Sequence, residues 1–234
     1  MMKNLRIESA IVAVGLALLG VFIYSGINSM AKRDRVVSVR GLAEKEVKAD
    51  RVIWPIVYKT VGNDIATIYN DISNANKKIT QFLVNNGVKA GDISTGAPQV
   101  NDLWTEIYAD KSKNQRYNAT SVITVSSSDV DKVRALITRT GELMSQGVVV
   151  AANGYDSRIM YDFTSLNKIK PEMIEQATKN AREAAQKFAK DSESKLGKIK
   201  SAQQGLFSIE NRDENTPHIK EVRVVTTVDY YLDN

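Results

Sequence analysis

Arg51-Val-Ile-Trp-Pro-Ile-Val-Tyr-Lys-Thr-Val61 is followed by Ile65, Ile68, Tyr69, Ile72, Ile79, Phe82 and Leu83, and the change of period between them decides the fold. In the first stretch Val52, Trp54, Ile56 and Tyr58 alternate with Ile53, Pro55, Val57 and Lys59. That two-residue period is a strand, apolar on both faces. Pro55 has no N–H to give a ladder, so it requires a sheet edge or a bulge. In the second stretch the apolar residues fall at helical spacing. Asp64 and Asp71 lie early and Lys77 and Lys78 late, the charge order that suits a helix dipole. Gly87 ends the helix. Residues 93–108 and 115–127 then read as two strands around a polar loop over 109–114, a hairpin.

The same order recurs further along. Residues 155–163 alternate Tyr155, Ser157, Ile159, Tyr161 and Phe163 with polar neighbours, a strand with one wet face. A long helix follows to Leu196, its apolar side made of Met173, Ile174, Ala177, Ala181, Ala184, Ala185 and Phe188. Glu175–Lys179, Glu183–Lys187 and Asp191–Lys195 are i,i+4 pairs in the favourable order, and Gly197 is the expected C-cap. Residues 198–209 and 219–232 form a second hairpin, with Val222, Val224, Thr226, Val228, Tyr230 and Leu232 on one face. Between the repeats, Ser128 is placed to cap a helix over 129–146, with Val130, Val133, Leu136, Ile137, Leu143 and Met144 on one face, stopped by Gly147. A short strand is expected over 148–152, and another over 35–40. The predicted class is α+β: two βαββ-like halves, about 36–127 and 148–232, with antiparallel sheets and long helices, joined by the helix 129–146.

Ahead of this lies an apolar run. Residues 9–31 carry no charge, and Ile11, Val12, Val14, Leu16, Leu18, Leu19, Val21, Phe22 and Ile23 fill most of residues 10–24. A bilayer core needs about 20 helical residues, which this run supplies. Lys3 and Arg6 precede it as in an export signal, and Ser29-Met30-Ala31 fits a small-x-small cleavage site. Two readings stand: an uncleaved signal anchor over 1–31 with an exported domain over 32–234, or a peptide cleaved after Ala31. The length of the apolar run favours the anchor. Lys32, Arg33, Arg35 and Arg40 after the span favour a cytoplasmic C-terminus by the positive-inside count. Long domains cross largely regardless of charge, and an N-terminal span acts as an export signal. The domain is expected outside the cytoplasm.

Composition removes most catalytic chemistry. The 234 residues include no cysteine and one histidine, His218. Disulfides, Cys–zinc sites, iron–sulfur clusters and thiol nucleophiles are excluded. His218 lacks a Ser/Asp constellation and reads as an exposed loop histidine. Asp102, Glu106 and Asp110 read as solvated loop acids rather than a metal cluster, and Glu210, Asp213 and Glu214 as a solvated tip. Trp54 and Trp104 read as core or hairpin-packing residues, and the alanine face of the long helix as close helix–sheet packing. Glycines occur singly, with no phosphate-binding or nucleophile-elbow motif. No catalytic, cofactor-binding or metal residue is assigned, and no cofactor is expected. The net charge of +5 is spread along the chain without a basic stripe, so no nucleic-acid partner is expected.

Val36-Val-Ser-Val-Arg-Gly-Leu-Ala-Glu and Val47-Lys-Ala-Asp-Arg-Val-Ile-Trp-Pro resemble the start of the SIMPL domain family. Gly96-Ala-Pro-Gln-Val with Tyr117-Asn-Ala resembles its central hairpin, and Tyr161-Asp-Phe-Thr-Ser-Leu-Asn-Lys-Ile-Lys-Pro-Glu-Met its entry to the long helix. Ala177-Thr-Lys-Asn-Ala-Arg-Glu-Ala-Ala, Ser194-Lys-Leu-Gly-Lys-Ile and Gln204-Gly resemble its C-terminal half, with Glu193 where a small residue is expected. The resemblance runs over about 36–232. It implies an exported bacterial envelope protein with no accepted enzymatic activity, in a family that includes a periplasmic immunogen and a protein linked to oxidative-stress tolerance; with the anchor, the expected location is the bacterial inner membrane with the domain in the periplasm. It also implies a homo-oligomer, since some members are thought to form rings. The expected function is that of a non-catalytic envelope protein, membrane-bound through its N-terminal helix, that acts by homo-oligomer assembly or by binding an envelope protein. The alternative is a small-ligand receptor or carboxylate-based enzyme with a cleft between the halves.

Overall fold

The computed structural model describes residues 2–33, 35–105, 114–151 and 154–233. Along the chain the elements are α1 (Met2–Arg33), β1 (Val36–Lys48), β2 (Arg51–Gly62), α2 (Ile65–Asn85), β3 (Ile93–Thr95), β4 (Gln99–Asp102), β5 (Tyr117–Ser127), α3 (Val130–Ile137), α4 (Gly141–Ser145), β6 (Val150–Ala151), β7 (Met160–Asp162), α5 (Leu166–Asp191), β8 (Lys195–Gln204), β9 (Ser208–Asn211) and β10 (Ile219–Asp233). The class is α+β with antiparallel sheets, as the sequence leads one to expect. The chain divides into two compact units. A central unit holds Glu46–Leu166 and Ile209–Glu221, and a terminal unit holds Met1–Lys45, Asn167–Ser208 and Val222–Asn234.

In the central unit β2 pairs antiparallel with β5 from Val52↔Ser127 to Gly62↔Tyr117. β3 and β4 add to the far flank of β5. The alternation read from the sequence sorts the faces: Val52, Trp54 and Ile56 with Ile123 and Val125 form a core, and α2 covers it with Ala75, Ile79, Phe82 and Leu83. Asp64 caps α2 by accepting from the Thr67 amide at 2.8 Å and its hydroxyl at 2.7 Å. Gly87 ends the helix region at φ 81°, a conformation that favours glycine. The other flank of β2 meets β7 at residues 51–53 and β6 at residues 57–58. Pro55 lies in the interval between them, so an inner strand tolerates a residue with no N–H.

Two expectations in this unit change. The helix over 129–146 is two short helices, α3 and α4, and Asp129 rather than Ser128 caps α3 by accepting from the Lys132 amide at 3.2 Å. The Thr138 and Thr140 hydroxyls donate back to the Ala135 and Ile137 carbonyls, and Gly141 follows. Such local bonds and a glycine interrupt a helix. The strand expected over 155–163 shrinks to β7 after a 3-10 turn at Tyr155–Ser157. β7 pairs with β2. The chain then turns under the Asp50 carboxylate, which accepts from the Thr164 amide (2.7 Å), the Thr164 hydroxyl (2.9 Å) and the Ser165 amide (2.8 Å). Burial pushes the Asp50 pKa up, but these hydrogen bonds outweigh it and hold the group below its ordinary value.

The sheet that runs through the terminal unit has the strand order β1-β10-β8. β1 outruns the strand expected over 35–40 because its buried side continues through Gly41 and Ala43, residues too small to register as apolar alternation. α5 presents a stripe of Met173, Ala177, Ala181, Ala185 and Ala189, one every four residues. Val39, Val228 and Tyr230 pack on Ala181 and Ala185. Phe188 falls off that stripe and is 62% exposed, not part of the apolar side expected for it. β8 is an outer strand. From Lys198 to Gln204 both of its faces are exposed, so α5 does not cover it.

α5 ends at Asp191, not Leu196, and Gly197 lies within β8. Lys195 is therefore a strand residue, and the Asp191–Lys195 pair does not form along a helix. The Ser194 amide donates to the Ala189 carbonyl at 2.8 Å, with Glu193 left-handed at φ 54°. This is a Schellman-type stop whose special position usually takes glycine. Glu193→Gly is expected to raise stability by about 0.5–1 kcal/mol: relief of the left-handed strain exceeds the added freedom of the unfolded chain. A rise in Tm checks it, and an unchanged or lower Tm contradicts it.

α1 contains the segment Ser9–Ile27, 19 residues of mean hydropathy 2.4, none of it buried against the rest of the chain. At 1.5 Å per residue this is about 28 Å, close to the ~30 Å hydrocarbon core. It is a membrane anchor or a signal sequence.

Candidate functional site

The face of the central sheet opposite α2 carries the alternate residues. Ile53 and Pro55 of β2 stand beside Thr120, Val122 and Thr124 of β5, with Gln99 of β4 at the margin. None of these is fully buried, while their neighbours Val52, Trp54, Ile56, Ile123 and Val125 are. Segments 156–162 and 211–220 wall this face and make a cleft of about 1020 Å³ within the central unit. The floor is half apolar and half hydroxyl.

Lys220 closes one side of the cleft. It is 8% exposed, although it is a lysine. It occupies the same phase of β10 as Val222 and Val224, so strand geometry turns it inward. Its ammonium donates to Asn211 Oδ1. Burial pushes its pKa down, opposed by the charge of Asp162. Asp162 itself is taken by Arg51, which donates from Nε at 3.1 Å and from a terminal guanidinium nitrogen at 2.7 Å.

Asp213 builds the wall rather than a free tip. Its carboxylate accepts from the amides of Asn215 (2.9 Å) and Thr216 (2.7 Å), from the Thr216 hydroxyl, and from Arg212 at 3.0 Å. The Thr216 hydroxyl and the Arg212 guanidinium lead in holding its pKa down to about 2. A pKa lower when folded stabilises the loop above the ordinary carboxylate value and loses that stabilisation as pH falls through the folded value. The amides of Asn215 and Thr216 are therefore expected to stay protected from hydrogen exchange at neutral pH and to lose protection between about pH 3.8 and pH 2. Unchanged protection in Asp213→Ala at neutral pH contradicts this role.

A second recess of about 480 Å³ lies between α3 and the 215–218 turn. His218 lines it, half-buried rather than exposed, edge-on to Tyr161 at 6.1 Å between ring centroids. Burial, then the positive charge of Arg134, pushes its pKa below the ordinary value, with Asp131 opposing, so the ring is neutral at pH 7. Among the described residues no serine or carboxylate is hydrogen-bonded to it.

A family model described as SIMPL, a protein of unknown function (DUF541), matches residues 37–228. The chain belongs to the SIMPL family. No curated protein matches it.

The remaining side chains singled out in the sequence fall into place within the SIMPL domain. Asp102 is not a solvated loop acid: Arg116 donates to it at 2.7 and 3.0 Å, and the same guanidinium lies 5.5 Å from the Trp104 ring and 4.9 Å from the Tyr117 ring. That pairing fastens the hairpin and gives Trp104 its packing role, while Trp54 is in the core at 3% exposure. Glu106 and Asp110 lie outside the described residues. Glu210 and Glu214 are exposed, and Glu214 stands at the rim of the cleft. Among the described residues no three His, Cys, Asp or Glu side chains are grouped to hold a metal. Among the described residues, each carboxylate with a displaced pKa is displaced downward by hydrogen bonds and is charged at neutral pH. Lys220 is the feature sequence reading missed. Its signal was present, since it stands in phase with the apolar positions of its strand.

Proposed function

We propose that this SIMPL protein is a non-catalytic envelope module. α1 holds it in the inner membrane with the domain in the periplasm, and it works by joining copies of itself or another envelope protein along β8. The observation that carries this reading is the ten-residue outer strand whose residues Lys198–Gln204 are exposed on both faces. An outer strand offers a row of backbone donors and acceptors, and a strand from a second chain pairs with it readily. Leu206, 95% exposed just beyond the strand, adds an apolar contact. A role in envelope stress tolerance would act through assembly, since a chain without cysteine has no thiol redox chemistry.

The absence of native cysteine makes a clean test. Gln203→Cys is expected to give cross-linked species with a short bis-maleimide in intact membranes, while a cysteine at exposed Glu172 on α5 gives none. Equal labelling without cross-links at both positions contradicts assembly along β8.

A further inference from the structure

The fold meets the charge of Lys220 only in part, through the nearby Asp162. A buried ammonium is costly unless an opposite charge compensates it. Its hydrogen-bond partner, Asn211 Oδ1, is neutral. Among the described residues no carboxylate lies within 4 Å of Nζ, and the nearby Asp162 is ion-paired with Arg51, which donates twice to its Oδ2. The lysine borders a cleft large enough for a small organic molecule, floored by Ile53, Pro55 and Val122 with the hydroxyls of Thr120 and Thr124 between them.

We propose that the cleft of the central unit binds a small organic monocarboxylate with an apolar body, its carboxylate on Lys220 Nζ and its body on the Ile53–Pro55–Val122 floor. The class of ligand follows from the lining. Lys220 offers one positive charge and up to two N–H donors beyond the one given to Asn211. The Arg51 fork is closed by Asp162, and Arg158, the arginine in the lining, is exposed to solvent, so the cleft offers no buried bidentate grip of the kind that suits phosphate. Asp156 and Glu214 stand exposed in the lining and disfavour ligands of higher negative charge. A bare inorganic anion would leave the apolar floor uncovered. This site lies in the central unit, whereas β8 belongs to the terminal unit, so ligand binding and assembly stand or fall separately.

Isothermal titration of the full chain in lipid nanodiscs, with empty nanodiscs as blank, tests the proposal using 3-phenylpropionate, 3-phenylpropanamide and inorganic phosphate. The acid is expected to bind at least about tenfold more tightly than the amide or phosphate. Lys220→Met is expected to lower acid affinity at least about tenfold and leave the amide unchanged. Asn211→Asp keeps the shape of the wall, places a carboxylate on the ammonium, and is expected to compete the ligand out to a similar degree. This second variant carries the test if removing the lysine charge disturbs folding. Equal affinity for acid and amide, tighter binding of phosphate, no binding of the acid at ~10 mM, or unchanged acid affinity in the aspartate variant each overturns it.

Discussion

Gly41→Ala is expected to disrupt the terminal unit, at a cost of about 3 kcal/mol or more. A Cβ on Gly41 would lie 1.9 Å from the Ala177 carbonyl oxygen and 2.4 Å from the Ala181 amide nitrogen. Both are backbone atoms of α5, so no rotamer change relieves the clash. The helix must lift from β1 and uncover Val39, Val228 and Tyr230. Ala181→Gly removes only the third contact, at 2.9 Å from the Ala181 Cβ, and is not expected to rescue the variant. Amide exchange in Val224–Val228 of β10 reads this unit directly. Protection equal to wild type in Gly41→Ala would contradict the close helix–strand packing. Leu42→Ala, one residue along on the exposed side of β1, is the control and is expected to change little.

Leu83→Ala carries the second large effect, about 3 kcal/mol, in the central unit. Leu83 is fully buried and packs with Val52, Trp54, Ile56, Ile123 and Val125. Truncation removes its transfer energy and leaves a cavity that strands paired along their full length collapse into poorly. Leu83→Met conserves volume and is expected to lose less than about 1.5 kcal/mol. Urea unfolding followed by the emission of Trp54, in a Trp104→Phe background, separates the two. A midpoint for the alanine variant within error of the methionine variant would show that Leu83 is not the tightly packed residue described here.

The legible parts of the fold were those with strong periodicity. β2, α2 and β10 each repeat large apolar residues at one spacing, and each lies where the sequence places it. The misread parts are those where small or polar residues carry the structure. β1 beyond Arg40 relies on Gly41 and Ala43. The break between α3 and α4 follows from threonine hydroxyls bonding locally. The end of α5 depends on a glutamate in a position that normally takes glycine, which no composition rule flags. β7 keeps only three residues because its partner is β2 and its course is bent by Asp50, a contact across more than a hundred residues of sequence. The site was less legible still. An acid, an arginine or a lysine in sequence looks solvated by default. Asp102, Asp213 and Lys220 depart from that default because hairpin pairing, loop closure and strand phase give them partners within about 14 residues, a local geometry that residue type alone does not announce.

The central claim, that this SIMPL protein works by assembly from the membrane, is tested most directly by the mass of the full chain extracted from membranes in mild detergent. A 25.9 kDa chain that assembles is expected in the membrane fraction, at a multiple of that mass or with a stoichiometric protein partner, and Leu206→Lys together with Ile199→Lys beside the β8 edge is expected to reduce the assembly. A strictly monomeric chain with no co-purifying protein would contradict it.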